Sequence, residues 1–88
     1  MMHLPDLAEI EAAARVVYRH FQATPQYRWA RLSDRLGADC WVKHENHTPV
    51  GAFKIRGGLT YFEQLAQTGA LPREVISATR GNHGQSVG

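Results

Sequence analysis

Apolar residues at Leu7, Ile10, Ala14, Val17 and Phe21 return every three or four positions, the spacing of one helical face. Glu9, Arg15 and Arg19 fall largely off that stripe, and Pro5-Asp6 ahead of it form a helix start. Thr24-Pro25 ends the pattern, because a residue before proline is pushed towards extended geometry. A short second helix is predicted around 32–36, stopped by Gly37, then a strand over 40–44 and a loop over 46–51. From about Phe53 a third helix runs to Thr68, with Ile55, Leu59, Phe62 and Ala66 as its stripe, Gly69 at its cap and Pro72 barring continuation. Val75-Ile76-Ser77-Ala78 reads as a second strand, too short and apolar to be half-exposed, after which Gly81 and Gly84 lead into another helix start.

Strand, helix, strand and incipient helix is the order of an α/β fold, with parallel strands and flanking helices. Three strands at most are too few to close a parallel sheet covered on both faces. The last helix is also cut within its first turn, where nucleation is unfavourable. The expectation is therefore the opening part of a larger protein.

Composition narrows the function classes. Hydrophobic residues make up 43% of the 88 and charged residues 20%, the balance of a globular chain. A net charge of +2, with Lys and Arg scattered, does not suit a nucleic-acid partner. No stretch approaches the roughly 18 apolar residues of a membrane span, and the N-terminus lacks a basic region followed by an apolar run. Cys40 is the single cysteine, so no internal disulfide forms and a reducing, cytoplasmic setting is expected. Cys40, His44 and His47 lack a convincing fourth ligand, so no metal site is expected.

Two segments carry candidate chemistry. In Gly51-Ala52-Phe53-Lys54-Ile55-Arg56-Gly57-Gly58, a lysine stands at a helix start between an aromatic residue and two glycines. The helix macrodipole and partial burial beside Phe53 would both favour the neutral amine that Schiff-base chemistry needs. The glycine pair suggests close approach by something planar or by another backbone. Taken alone, such a lysine is more often a solvated surface charge, and paired glycines can serve only helix–strand packing. In Ser77-Ala78-Thr79-Arg80-Gly81-Asn82-His83-Gly84, small polar groups follow a strand and precede a helix, where ligands gather in open α/β sheets. The alternative there is an ordinary turn with an asparagine cap.

With Thr24-Pro25 and Lys43-His44-Glu45-Asn46, these segments in this order resemble the serine/threonine dehydratases of the fold type II pyridoxal-phosphate enzymes. The resemblance implies that residues 1–88 are the N-terminal portion of such a domain, truncated at its C-terminal end. It gives Lys54 the Schiff base with pyridoxal 5'-phosphate and the role of general base, Phe53 a place against the pyridine ring, and Asn82 a hydrogen bond to the ring's phenolic oxygen. Thr79, with backbone N–H groups around Asn82 and His83, would hold the substrate carboxylate. The implied reaction dehydrates and deaminates threonine or serine to a 2-oxo acid and ammonia, in a full-length protein that is a homo-oligomer.

Arg80 departs from the family, which usually has a small residue there, serine in racemases and alanine in many dehydratases. Its presence disfavours racemisation and suggests pairing with a substrate carboxylate, including a second one as in 3-hydroxyaspartate. The alternative is that it points into solvent. The family's phosphate-binding loop lies further downstream, so the 88 residues alone are expected to be inactive. The alternatives are a serine racemase or β-replacing synthase of the same fold, or a truncated remnant that is not an enzyme.

Overall fold

A computed structural model describes residues 2–88. Helix α1 spans Leu7–Val17 and opens with a reciprocal cap: the Glu9 N–H donates to Asp6 Oδ1 at 2.9 Å, and the Asp6 N–H to Glu9 Oε2 at 2.8 Å. The apolar stripe continues to Phe21, but the helix yields to turns after Val17. Helix α2 (Ala30–Leu36) and helix α3 (Ile55–Gln67) stop at Gly37 and Gly69 as expected. At the end of α3 the N–H groups of Gly69 and Ala70 donate to Ala66 and Leu65, the paired bonds of a Schellman closure. Helix α4 covers Asn82–Val87.

The sheet differs from the expectation. Strand β1 (Gln26–Arg28) pairs with strand β2 (Trp41–Lys43), and the pairing is antiparallel, with Tyr27 opposite Val42. Strand β2 falls inside the segment predicted as a strand, whereas β1 lies in a stretch without a strand pattern. Its backbone supplies the reason: a tight crossing through α2 returns the chain beside itself. The Trp29 N–H donates to the Cys40 carbonyl at 3.0 Å and the His44 N–H to the Pro25 carbonyl at 2.8 Å, extending the ladder at both ends. Residues 75–78 form no ladder among the described residues, and Ile76 is fully exposed. A strand is stable only where a neighbour accepts and donates its backbone hydrogen bonds, and no described residue pairs with this segment in that way.

Helix α3 is the hub, with α1 packed on one side and α4 on another. The accessible surface of 7388 Å² exceeds the roughly 5,200 Å² of a compact chain of this mass. The radius of gyration, 16.3 Å, likewise exceeds the about 12 Å expected at this length. Val17 is the one buried hydrophobic residue among those described, so the elements form an open array around α3 rather than a closed core.

Candidate active site

The start of α3 is set by a clasp that joins four parts of the chain. The Arg56 guanidinium donates to both Glu45 oxygens, at 2.7 and 2.9 Å, from the first turn of α3 to the 3-10 turn Glu45–His47. Thr24 Oγ1 donates to the same carboxylate at 2.6 Å, and Arg56 reaches the Tyr18 hydroxyl at 3.1 Å. The guanidinium also lies over the rings of Tyr18 and Phe21, 5.5 and 5.3 Å from their centroids. The Arg56 hydrogen bonds hold the Glu45 carboxyl at about 2, against an ordinary 4.5. The same partnership raises Arg56 above its usual value.

Lys54 therefore stands two residues before an anchored arginine, directly ahead of the first residue of α3. The chain has two lysines, and they differ in surroundings. The ammonium of Lys43 is 3.9 Å from Glu45 and donates to the Thr24 carbonyl at 3.4 Å. Lys54 has no ion pair among the described residues and faces a cleft of about 380 Å³. Thr79, Arg80, Asn82 and His83 line the same cleft. Five of the six predicted site residues thus meet in one place. Phe53 is the sixth; it is 62% exposed and does not line the cleft. The burial of Lys54 beside Phe53 is not found, since both are exposed.

The loop is capped differently from a simple asparagine turn. Thr79 Oγ1 accepts the N–H groups of both Gly81 and Gly84, each at 3.0 Å. Asn82 is the first residue of α4 and caps nothing, because Gly81 holds the cap position without a side-chain bond. Two consequences follow. The Asn82 amide has no partner among the described residues, and the Thr79 hydroxyl, with both lone pairs engaged, keeps its proton to donate. The N–H groups of Asn82 and His83 also have no acceptor among the described residues. The cleft lining holds no carboxylate. It offers a primary amine, a guanidinium, an amide, a hydroxyl proton and free N–H groups, a donor set suited to an anionic ligand with an aldehyde or carbonyl carbon.

Two of the glycines allow close approach by a neighbouring residue. A Cβ on Gly58 would meet Ser86 Oγ at 2.5 Å and the Ser86 carbonyl oxygen at 3.3 Å, whereas one on Gly57 would meet nothing within 4 Å. A Cβ on Gly84 would stand 2.6 Å from Thr79 Cγ2. Gly58 therefore admits α4, which is the second of the two readings of the pair. Glu45, Arg56 and Ser86 were not singled out by sequence reasoning. The first two stand inside the recognised motifs, but nothing in their spacing marks them as partners. Among the described residues no group of three or more His, Cys, Asp or Glu side chains could hold a metal ion. His44 instead accepts the Trp29 indole N–H at 3.2 Å.

Comparison with known proteins agrees with this chemistry. The family model described as pyridoxal-phosphate dependent enzyme matches residues 17–88. The L-threonine dehydratase biosynthetic IlvA of Haemophilus influenzae is 38% identical over 71 residues, covering 81% of this chain and 14% of that protein. Threonine dehydratase 1 biosynthetic, chloroplastic, of Solanum lycopersicum is 39% identical over 71 residues, 81% of this chain and 12% of its own length. The L-threo-3-hydroxyaspartate ammonia-lyase of Saccharomyces cerevisiae is 33% identical over 86 residues, 98% of this chain and 26% of that protein. The chain thus spans about a quarter or less of the length of these relatives. No solved structure matches it.

Proposed function

Because the chain belongs to the pyridoxal-phosphate dependent enzyme family, we propose that it forms the lysine-bearing side of a hydroxyamino-acid ammonia-lyase site, converting threonine or serine to a 2-oxo acid and ammonia. One observation carries the reading: Lys54, the lysine without an ion pair, shares a cleft with Thr79, Asn82 and His83. Bound pyridoxal phosphate supplies an electron sink for the charge left at the substrate α-carbon. Lys54 Nζ would be the amine that holds the cofactor, whose aldehyde suits a primary amine, and the same nitrogen would serve as general base towards the substrate α-proton. The Thr79 hydroxyl and the N–H groups of Asn82 and His83 would hold the substrate carboxylate, and the Asn82 amide would help to hold the cofactor. Arg80 adds a second cation at the cleft, available to a second carboxylate where the substrate carries one.

The reading extends to fold and setting. Residues 75–78, apolar and without a ladder neighbour, suit a strand in the parallel sheet of a fold type II enzyme. The open array around α3 suits further surfaces of the same protein, including a homo-oligomer interface. No described helix is long and apolar enough to cross a membrane, and a cytoplasmic location fits the free Cys40.

Reductive trapping tests the assignment. The protein is incubated with pyridoxal phosphate, reduced with borohydride, digested and mapped by mass spectrometry. The expected adduct is on Lys54 and absent from Lys43, and Lys54→Ala removes it, lowering 2-oxo acid release from L-threonine by at least about 10²–10⁴-fold. Equal labelling of both lysines would refute the reading.

A further inference from the structure

Among the described residues, one side-chain hydrogen bond joins the Lys54 side of the cleft to α4. Ser86 Oγ donates to the main-chain carbonyl of Lys54 at 2.8 Å, across 32 residues of sequence. That carbonyl also accepts the Gly58 N–H at 3.1 Å, so it is already fixed by the first turn of α3. The absent side chain at Gly58 lets Ser86 come close enough to reach it. At the other end of α4, the Gly84 N–H is held by Thr79 Oγ1 at 3.0 Å, and Thr79 Cγ2 packs where a Gly84 side chain would stand. A continuous path of contacts therefore runs from Lys54 through Ser86 and one turn of α4 to Thr79 and the 79–83 loop.

From this path we infer that Ser86 is a positioning residue, setting the distance between the lysine and the loop that receives the substrate carboxylate. The inference rests on the reading of Lys54 as the cofactor lysine. Ser86 touches neither cofactor nor substrate; it acts through the Lys54 backbone. The bond crosses from one element to another, so it fixes how α4 sits on α3 rather than how either helix forms. Without it α4 retains its Thr79 cap but loses its register against the lysine. Substrate affinity is then the quantity affected, since the carboxylate loop moves relative to a lysine that the Arg56–Glu45 clasp still holds.

The experiment compares Ser86→Ala, Ser86→Thr, Gly58→Ala and the double variant Ser86→Ala/Gly58→Ala in the whole enzyme that the proposed function implies. Three readouts are used: hydrogen exchange of the 82–88 amides, borohydride trapping of pyridoxal phosphate at Lys54, and KM and kcat for L-threonine. Loss of one hydrogen bond should speed exchange in α4 about fivefold. In Ser86→Ala the KM for L-threonine should rise by a similar, about fivefold, factor while trapping at Lys54 persists and kcat changes less. Ser86→Thr, which keeps the hydroxyl, should behave as the parent. Gly58→Ala displaces Ser86 and should reproduce the KM defect, and the double variant should be no worse than Gly58→Ala alone. If Lys54 is trapped in the parent but Ser86→Ala leaves exchange and KM unchanged, the positioning role is overturned while the lysine assignment stands. If the double variant shows the product of two independent defects, the shared contact is refuted as well. If Lys54 is not trapped in the parent, the lysine assignment fails and the role of Ser86 with it.

Discussion

The clasp and the cleft sit at opposite ends of one helix start, and they are built in opposite ways. Around Arg56, a charged pair 25% and 21% exposed is bonded to Thr24 and Tyr18 and covered by two aromatic rings. Every buried residue among those described, Val17, Thr24, Ser33 and Thr48, precedes α3. Around the cleft, Lys54, Thr79, Arg80, Asn82 and His83 are all exposed, and α4 touches the lysine through one hydrogen bond. Polar groups that satisfy one another have little left for a ligand; those of the cleft remain available. The lysine stands at the seam, anchored from the clasp and open towards the loop.

Breaking the clasp should have the largest effect. Arg56→Ala removes two bonds to Glu45, one to Tyr18 and both ring contacts, and leaves a part-buried carboxylate without its main partner. The expected loss is about 3 kcal/mol of stability, read by urea unfolding. Arg80→Ala, which removes an arginine from the cleft, should change stability by less than about 0.5 kcal/mol. Equal losses from the two substitutions would erase the contrast between the regions. Arg56→Lys should recover only part of the loss, since an ammonium cannot bridge both carboxylate oxygens as the guanidinium does.

The contrast also bears on what could be read from the chain. Helices α1 and α3 were legible because packing on each other, with solvent on the other side, imposes a 3.6-residue period, and α2 and α3 also because Gly37 and Gly69 stop them. Strand β1 was not, since Gln26, Tyr27 and Arg28 are all exposed and take their conformation from backbone bonds to residues 41–43. The cleft residues were legible as motifs because reactive groups must be of particular types. The clasp was not, because an arginine and a glutamate 11 residues apart pair only once the 3-10 turn and α3 are placed. Ser86 was still less so: its partner is a carbonyl, which every residue carries. The antiparallel pairing escaped for the same reason, since an apolar run records burial but not the direction of its neighbour.

Acid should loosen the clasp. The Arg56 hydrogen bonds lower the Glu45 carboxyl from 4.5 to about 2, so the folded state binds this proton less readily than the unfolded chain. The associated stability is complete above about pH 4.5 and lost as pH falls towards 2. Between pH 6 and pH 3 the expected loss from this group is about 2 kcal/mol, and Glu45→Gln should remove that part of the pH dependence. Glu9 and Glu63 are lowered too, Glu9 by its bond to the Asp6 backbone and Glu63 by its bond to Arg19. A residual slope of the same sign should therefore survive in Glu45→Gln. An unchanged slope would mean that the Glu45–Arg56 pair does not respond to acid as its geometry requires.

The smallest expected effect is the most informative about substrate. Arg80 and Lys54 bring two cations to a cleft whose lining contains no carboxylate. One carboxylate of an amino acid can be held by the Thr79 hydroxyl and the loop N–H groups, which leaves the guanidinium for a second. A hydroxyamino acid with two carboxylates should therefore gain from Arg80, and one with a single carboxylate should not. Arg80→Ala should lower kcat/KM for L-threo-3-hydroxyaspartate about tenfold relative to that for L-threonine, the size of one exposed charge-assisted hydrogen bond. Added salt should narrow the ratio in the parent and not in the variant, because an exposed pair is screened. A ratio unmoved by both substitution and salt would place the guanidinium in solvent, and the cleft would then choose its substrate through the loop alone.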